Sequence, residues 1–241
     1  MRLGKETAGK KHRGFRNLSL HSKIAIATTL ILVFGGGMLI LLFEHDNPLT
    51  IGNLSVFDKM QVSLFQSVTT RTAGFATIPQ ENFTNASSIV SLLLMFIGGS
   101  PVGTAGGIKT VTFVILLATA ASVIKNKRTI DVFNRQISEK SIKKVIAVFA
   151  TSFSVMTLST ILLSAASNAD FLDVLYETVS ATATVGLTRN FTASLNTVGK
   201  IIIIATMYFG RVGPISLAVA FKMRKSSENI IENPIEGISV G

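Results

Sequence analysis

The sequence predicts an all-α integral membrane fold built from two tandem units, each an outer helix, a re-entrant loop and an inner helix (M1–P-loop–M2). Three observations carry this prediction. Hydrophobic residues make up 48% of the 241-residue chain and charged residues 15%, with the apolar residues gathered in long blocks. The segments between blocks alternate in charge. A Thr-x-Gly motif occurs twice, as Thr72-Ala73-Gly74-Phe75 and Thr184-Val185-Gly186-Leu187, with its glycines 112 residues apart. The same offset superimposes Met95-Phe96-Ile97-Gly98-Gly99 on Met207-Tyr208-Phe209-Gly210-Arg211, the mark of a duplicated unit.

Residues 24–43 and 145–166 carry no charge over twenty and twenty-two residues. Both reach the roughly 20 residues needed to cross a hydrocarbon core. A signal peptide is not expected, because the first block starts late, is long and lacks a small-residue cleavage pattern. The chain has no cysteine, which excludes disulfides, thiolate metal sites and cysteine nucleophiles. Of 23 basic residues, seven lie in residues 1–23, seven in 125–144 and three in 222–225. Residues 44–58 and 167–178 hold Glu44, Asp46, Asp58, Asp170, Asp173 and Glu177, with Lys or Arg absent from 167–178 and from the acidic run at 44–58 before Lys59. By the positive-inside rule, both termini and the 125–144 connection are expected on the cytoplasmic side of the membrane. A net charge of +10 could also suggest nucleic acid, but no folded basic face with interleaved aromatics is present.

In chain order, a basic leader over 1–21 precedes the first unit, 22–124. Its outer helix, 22–43, contains Gly35-Gly36-Gly37, which permits close helix approach. Residues 56–70 are amphipathic and short, as for a half-membrane pore helix ending at the Thr72 loop. The chain returns outward through Pro79 and Asn82, and an inner helix begins over 88–97. Residues 98–107 interrupt it with five glycines and a proline, and apolar helix resumes over 108–124. Broken backbone at membrane depth is tolerated only against protein or a water-filled cavity, so this segment is expected beside a conduction path. After the 125–144 connection the second unit, 145–225, repeats the plan: outer helix 145–166, pore helix 171–181, loop 182–187, inner helix 198–221. A tail, 226–241, follows.

The repeated loop suits a desolvated cation. Carbonyl oxygens replace an ion's water shell without fixed charge, provided successive C=O groups point inward. Glycine permits the dihedrals this demands, threonine is stiff behind the strand, and the negative dipole end of a pore helix favours a cation. Thr184-Val185-Gly186 matches the start of a potassium-channel filter and Thr72-Ala73-Gly74 is looser. Neither has the second glycine, so discrimination is expected to be less strict.

Residues 67–75 followed by 98–110 (Gly98-Gly99-Ser100-Pro101-Val102-Gly103-Thr104-Ala105-Gly106-Gly107-Ile108-Lys109-Thr110) closely resemble the ion-translocating subunit of the bacterial Ktr/Trk/HKT potassium-uptake superfamily. The C-terminal Asn233-Pro234-Ile235-Glu236-Gly237-Ile238-Ser239-Val240-Gly241 is similar to its KtrB branch. The resemblance implies a potassium-channel-like architecture with four such units around one pore, of which this chain carries the third and fourth. Two loops cannot encircle an ion. The remaining units then come from another chain or lie outside this sequence, or two copies combine; a non-conducting fragment or assembly partner is the rival class.

By the same resemblance, K+ passes the carbonyls of Thr72, Ala73, Gly74, Thr184, Val185 and Gly186, with Na+ as a possible co-requirement and no cofactor. Gly98, Gly99, Gly103, Thr104, Gly106 and Gly107 belong to an intramembrane gate, with Arg211 beside it. An arginine inside an apolar helix costs several kcal/mol unless it faces a cavity or partner, which suits either a gate element or a structural arginine bonding broken backbone. Arg71 is expected to brace the filter, through an ion pair with an outer carboxylate; Lys109 faces the cavity or snorkels. Implied partners are membrane lipid, a cytosolic nucleotide-binding ring of the KtrA/TrkA type docking on the basic 125–144 connection, and a second translocating subunit held through the tail. The 103–110 stretch fails as a phosphate loop, since Gly does not immediately precede Lys. His12, His21 and His45 lack metal-ligand spacing, and no catalytic set occurs in the helices, so an enzyme is not expected.

Overall fold

Ser19 opens the first helix. Its hydroxyl accepts from the Ser22 amide at 3.2 Å, satisfying one orphan donor of the first turn, and α1 then runs Leu20–Glu44. The structure is a computed structural model that describes residues 18–100, 105–127 and 129–213. Helix α2 is Val56–Thr69, α3 Asn85–Phe96, α4 Thr110–Ile124, α5 Glu139–Ala166, α6 Phe171–Ala183 and α7 Thr197–Val212. Helices α1 and α5, of 25 and 28 residues with mean hydropathy 2.4 and 2.0, are long and apolar enough to cross a bilayer.

The apolar pattern locates these helices and the caps move their ends. Ser138 caps α5 by accepting from the Ser141 amide at 3.4 Å, so the helix starts at Glu139, six residues before its apolar block. The part of the connection left over folds into a two-stranded antiparallel hairpin, β1 (Asp131–Val132) and β2 (Arg135–Gln136), which the all-α expectation did not include. Phe133 and Asn134 turn it with φ of 49° and 58°, the left-handed pair that suits a tight hairpin. Ile137 packs beside it with Ile115 and Val145.

Helices α3 and α4 are each too short to span the membrane alone. They are two pieces of one interrupted inner helix: Ile97 and Ile108 form a parallel bridge, and the Ile108 amide donates to the Phe96 carbonyl at 3.0 Å. The chain leaves the helix and rejoins it at the same level. Gly103 and Thr104 lie outside the described residues, as do the tail and the end of the last inner helix.

The duplication extends to positions with no shared motif. Short 3-10 turns at Gln80–Asn82 and Thr192–Ser194 are again 112 residues apart. So are the caps of the two inner helices, Thr84 and Asn196, each accepting from the amide three residues on.

Helix α6 is the centre of the molecule. On one side Tyr176, Val179, Ala183, Val185 and Leu187 pack with Leu92 and Met95 of α3. On the other, Val174 and Ala181 pack with Leu163 of α5 and Ile203 of α7. Helix α2 has no equivalent cover: Phe57, Met60, Phe65 and Val68 are exposed.

Candidate ion pathway

Both pore helices end by turning their last amides inward, which fixes where the following carbonyls point. After α2, the amides of Ala73 and Gly74 both donate to the Thr69 carbonyl at 3.1 Å. The Thr69 hydroxyl accepts from the Phe75 amide and donates to the Phe75 carbonyl, each at 2.7 Å. After α6, the Thr184 amide donates to the Ala181 carbonyl at 3.1 Å and the Val185 amide to the Ser180 carbonyl at 2.9 Å. The Gly186 amide donates to the Ser180 hydroxyl at 3.1 Å.

The dihedrals repeat as well. Thr72 and Gly74 have φ of 68° and 77°, Thr184 and Gly186 of 53° and 93°, while Ala73 and Val185 stay at negative φ. A threonine in the left-handed region is uncommon and costs about 1–2 kcal/mol, yet it occurs at the same place in both loops. Alternating the hand of successive residues turns their carbonyls toward one side. Among the described residues, no hydrogen bond ends on the carbonyl oxygens of Thr72, Ala73, Gly74, Thr184, Val185 or Gly186. Six acceptors with no hydrogen-bond partner among the described residues, on two abutting loops, have the chemistry that can replace water around a cation.

The loops abut. A Cβ on Gly74 would collide with the Val185 carbonyl oxygen, so glycine is needed there both for its φ and for space. Gly186 differs, since nothing lies within 4 Å of its Cβ position.

The two stems of the interrupting segment attach directly to these loops. Arg71 Nη2 donates to the Gly98 carbonyl at 3.2 Å, and the Gly106 amide donates to Thr184 Oγ1 at 3.1 Å. The backbone approach is close: a Cβ on Gly106 would overlap Thr184 Oγ1 and the Ala183 carbonyl, and one on Gly98 would overlap the Gly106 carbonyl. A Cβ on Gly107, at φ 67°, would come 3.2 Å from Ala183 Cβ, and one on Gly99 would come 2.8 Å from Ala105 Cβ. Arg71 was expected to find an outer carboxylate. It turns to Gly98 instead, because its neighbour across the loop is the broken helix, where the buried Gly98 carbonyl has left the helical ladder and takes a donor from the side. Lys109, expected to face the cavity or snorkel, bonds the Ala105 carbonyl through Nζ within the same segment. Arg211, in the last turn of α7, is exposed. One residue earlier, a Cβ on Gly210 would overlap the Thr182 carbonyl at the end of α6.

Several site residues have no motif to announce them. Arg189, three residues after Gly186, pairs with Asp173 at 2.7 Å and reaches into the first unit. Gln80 accepts at its side-chain oxygen from Gln66 (2.7 Å) and from the Tyr176 hydroxyl (3.0 Å), joining α2 to α6 behind the loops. Glu177 accepts from the hydroxyls of Thr188 and Thr192 at 2.7 and 2.6 Å. Glu44 accepts from Asn47, Thr50 and Thr84. The available signal was the position of polar side chains on the inward faces of short amphipathic helices, which marks burial without naming the partner.

The model of the family described as "TrkH: Cation transport protein" matches residues 16–233. This chain belongs to the TrkH family. Among relatives of this TrkH-family chain, Ktr system potassium uptake protein B of Bacillus subtilis (strain 168) is 38% identical over 90% of the chain and 49% of its own length. Ktr system potassium uptake protein B of Vibrio alginolyticus is 34% identical, covering 95% and 50%. Potassium/sodium uptake protein NtpJ of Enterococcus hirae is 32% identical, covering 94% and 51%. The crystal structure of the potassium transporter TrkH from Vibrio parahaemolyticus superimposes with a TM-score of 0.69 at 20% identity, covering 81% of this chain and 43% of that one; this likeness shows a shared fold. The chain therefore spans about half the length of the curated relatives it matches. Family and fold together assign it to a membrane.

Proposed function

We propose that this chain supplies the third and fourth units of a four-unit pore that conducts K+ in a Ktr/Trk-type uptake system. The observation that carries the reading is the pair of abutting Thr-x-Gly loops, whose six carbonyl oxygens accept no hydrogen bond among the described residues. Two loops cover half of a coordination shell, and carbonyl coordination of K+ needs the rest.

Support for a four-unit ring comes from comparing the two units. Leu187 is 3% exposed and packs with Leu92 and Met95 on the inner helix of the unit before it. Phe75, its counterpart 112 residues earlier, is 69% exposed. On α2, Phe65 and Val68 are exposed where their counterparts Glu177 and Ser180 are buried. An inner helix from a preceding unit would cover Phe75 as α3 covers Leu187.

Within this reading the 98–107 segment and Arg211 form the gate, Arg71 holds the segment's first stem to the filter, and Lys109 and Arg211 raise an electrostatic barrier below it. Both termini and the basic connection are cytoplasmic, the connection docks a nucleotide-binding ring, and a second translocating subunit completes a dimer. The name of the Enterococcus hirae relative, a potassium/sodium uptake protein, keeps Na+ among the permeant or coupling ions.

The test is a chimera in which this chain replaces the aligned half of the Bacillus subtilis relative, expressed in a bacterium deficient in potassium uptake. Growth at low K+ and saturable Rb+ uptake are expected, with both lost on Gly74→Ala. A well-inserted chimera that restores neither would overturn the reading in favour of a non-conducting assembly partner.

A further inference from the structure

We propose that Arg189 is a positioning residue for ion selection: it clamps the outer shoulders of the two filter loops together and so holds their spacing. The inference rests on the pore reading above.

One guanidinium joins three segments across the boundary between units. Its Nε donates to Asp173 Oδ1 near the start of α6 at 2.7 Å. Nη1 donates to the Gln80 carbonyl at 3.0 Å and to the Ser88 hydroxyl on α3 at 2.6 Å. Nη2 donates to the Glu81 carbonyl at 3.2 Å. The Arg189 side chain is 11% exposed. A planar fork engaged on four acceptors from fixed backbone and helix has little freedom left, and its bonds, all charge-assisted, are of the stronger kind.

The clamp acts where spacing matters. Arg189 lies three residues beyond Gly186, and Gln80 six residues beyond Gly74. Gln80 is held by Arg189 through its backbone and by Gln66 and Tyr176 through its side chain, so each pore helix is tied to the same residue. The loops themselves touch at Gly74 and Val185, and any relative shift of the two units alters the distance between their carbonyls. With only a Thr-x-Gly triplet per loop, and no second glycine, the strand is too short to hold its own cage.

The pairing belongs to the junction and not to the repeated unit. Moving back by 112 residues puts Thr77 in the place of Arg189 and Gln61 in the place of Asp173, and both are exposed. The first unit folds to the same plan without such a pair. Asp173 also neutralises the guanidinium, so the clamp adds little repulsion to a cation arriving from outside.

The test uses the conducting chimera described above, with KM and maximal rate measured for K+, Rb+ and Na+ uptake. Arg189→Gln, which keeps hydrogen-bonding capacity but loses the charge and the fork, is expected to reduce the preference for K+ over Na+ by about twofold to thirtyfold, the range for a coupling residue that touches no ligand. Ser88→Ala removes one acceptor without altering charge and is expected to shift the preference in the same direction by less; it gives the answer if Arg189→Gln fails to reach the membrane. A preference unchanged in the inserted variants, or uptake of all three cations falling in equal proportion, would overturn the clamp while leaving the pore reading intact. Absence of saturable uptake in the unsubstituted chimera would overturn the pore reading and the clamp with it.

Discussion

Gly74 and Gly186 hold the same place in their loops and face different surroundings. Both have φ values that favour glycine, but a methyl on Gly74 would meet the Val185 carbonyl, whereas one on Gly186 would meet open space. Alanine at 186 should add only the left-handed strain of about 1–2 kcal/mol. Alanine at 74 adds the same strain and drives the loops apart. Rb+ uptake in the conducting assembly is therefore expected to fall further in Gly74→Ala than in Gly186→Ala; equal losses would mean that the loops do not meet at that point. The cationic pair below is expected to act in the opposite direction. On the proposed gate, Arg211→Ala removes one of its two positive charges, and resting cation leak through the assembly should rise. Unchanged leak would assign Arg211 to holding backbone alone.

At the scale of elements, the three consecutive glycines of α1 separate into distinct duties. No atom lies within 4 Å of a Cβ on Gly35, while one on Gly36 would come 2.6 Å from Leu94 Cδ1 and Ser67 Oγ, and one on Gly37 would come 3.2 Å from the Leu64 backbone. Gly36→Leu is expected to destabilise the packing of α1 on α2 and α3 by about 1–3 kcal/mol, read as lower thermal stability in detergent, and Gly35→Leu to leave it nearly unchanged. The run of glycines predicted a helix contact without saying which glycine makes it, because the answer depends on which face of α1 meets α2. Helix existence was visible in the sequence for a related reason: blocks near 20 apolar residues and short amphipathic stretches before Thr-x-Gly leave few alternatives in lipid. Ends were less visible. The first six residues of α5, five of them polar, are helical because Ser138 caps them, and the hairpin at 131–136 has strands of two residues, too short to leave a period. The loop residues were found through their repetition. Arg189, Gln80 and Tyr176 were not, since their bonds join positions as many as 109 residues apart that no local pattern relates. The expected partner of Arg71 was wrong for the same reason: opposite charge suggested a carboxylate, and the tertiary fold supplied a carbonyl.

For the whole molecule, the proposed four-unit pore makes the contrast between Phe75, exposed, and Leu187, buried, a matter of assembly. A polar residue at 187 would damage the packing of this chain on itself. One at 75 should leave that packing in place and weaken its union with a preceding unit. Phe75→Asn is accordingly expected to preserve membrane insertion and helix content while reducing recovery of a complete complex when this chain is co-expressed with the remaining half of the relative; undiminished recovery would show that Phe75 faces lipid. The bridge between Ile97 and Ile108 has a consequence for how such proteins diverge. Because the polypeptide departs and returns at one height, residues can be gained or lost between those two isoleucines without shifting the rungs of α4 against its neighbours. Alignments of natural homologues should thus tolerate gaps there, between two pieces of one interrupted helix, where continuous apolar helices ordinarily admit none.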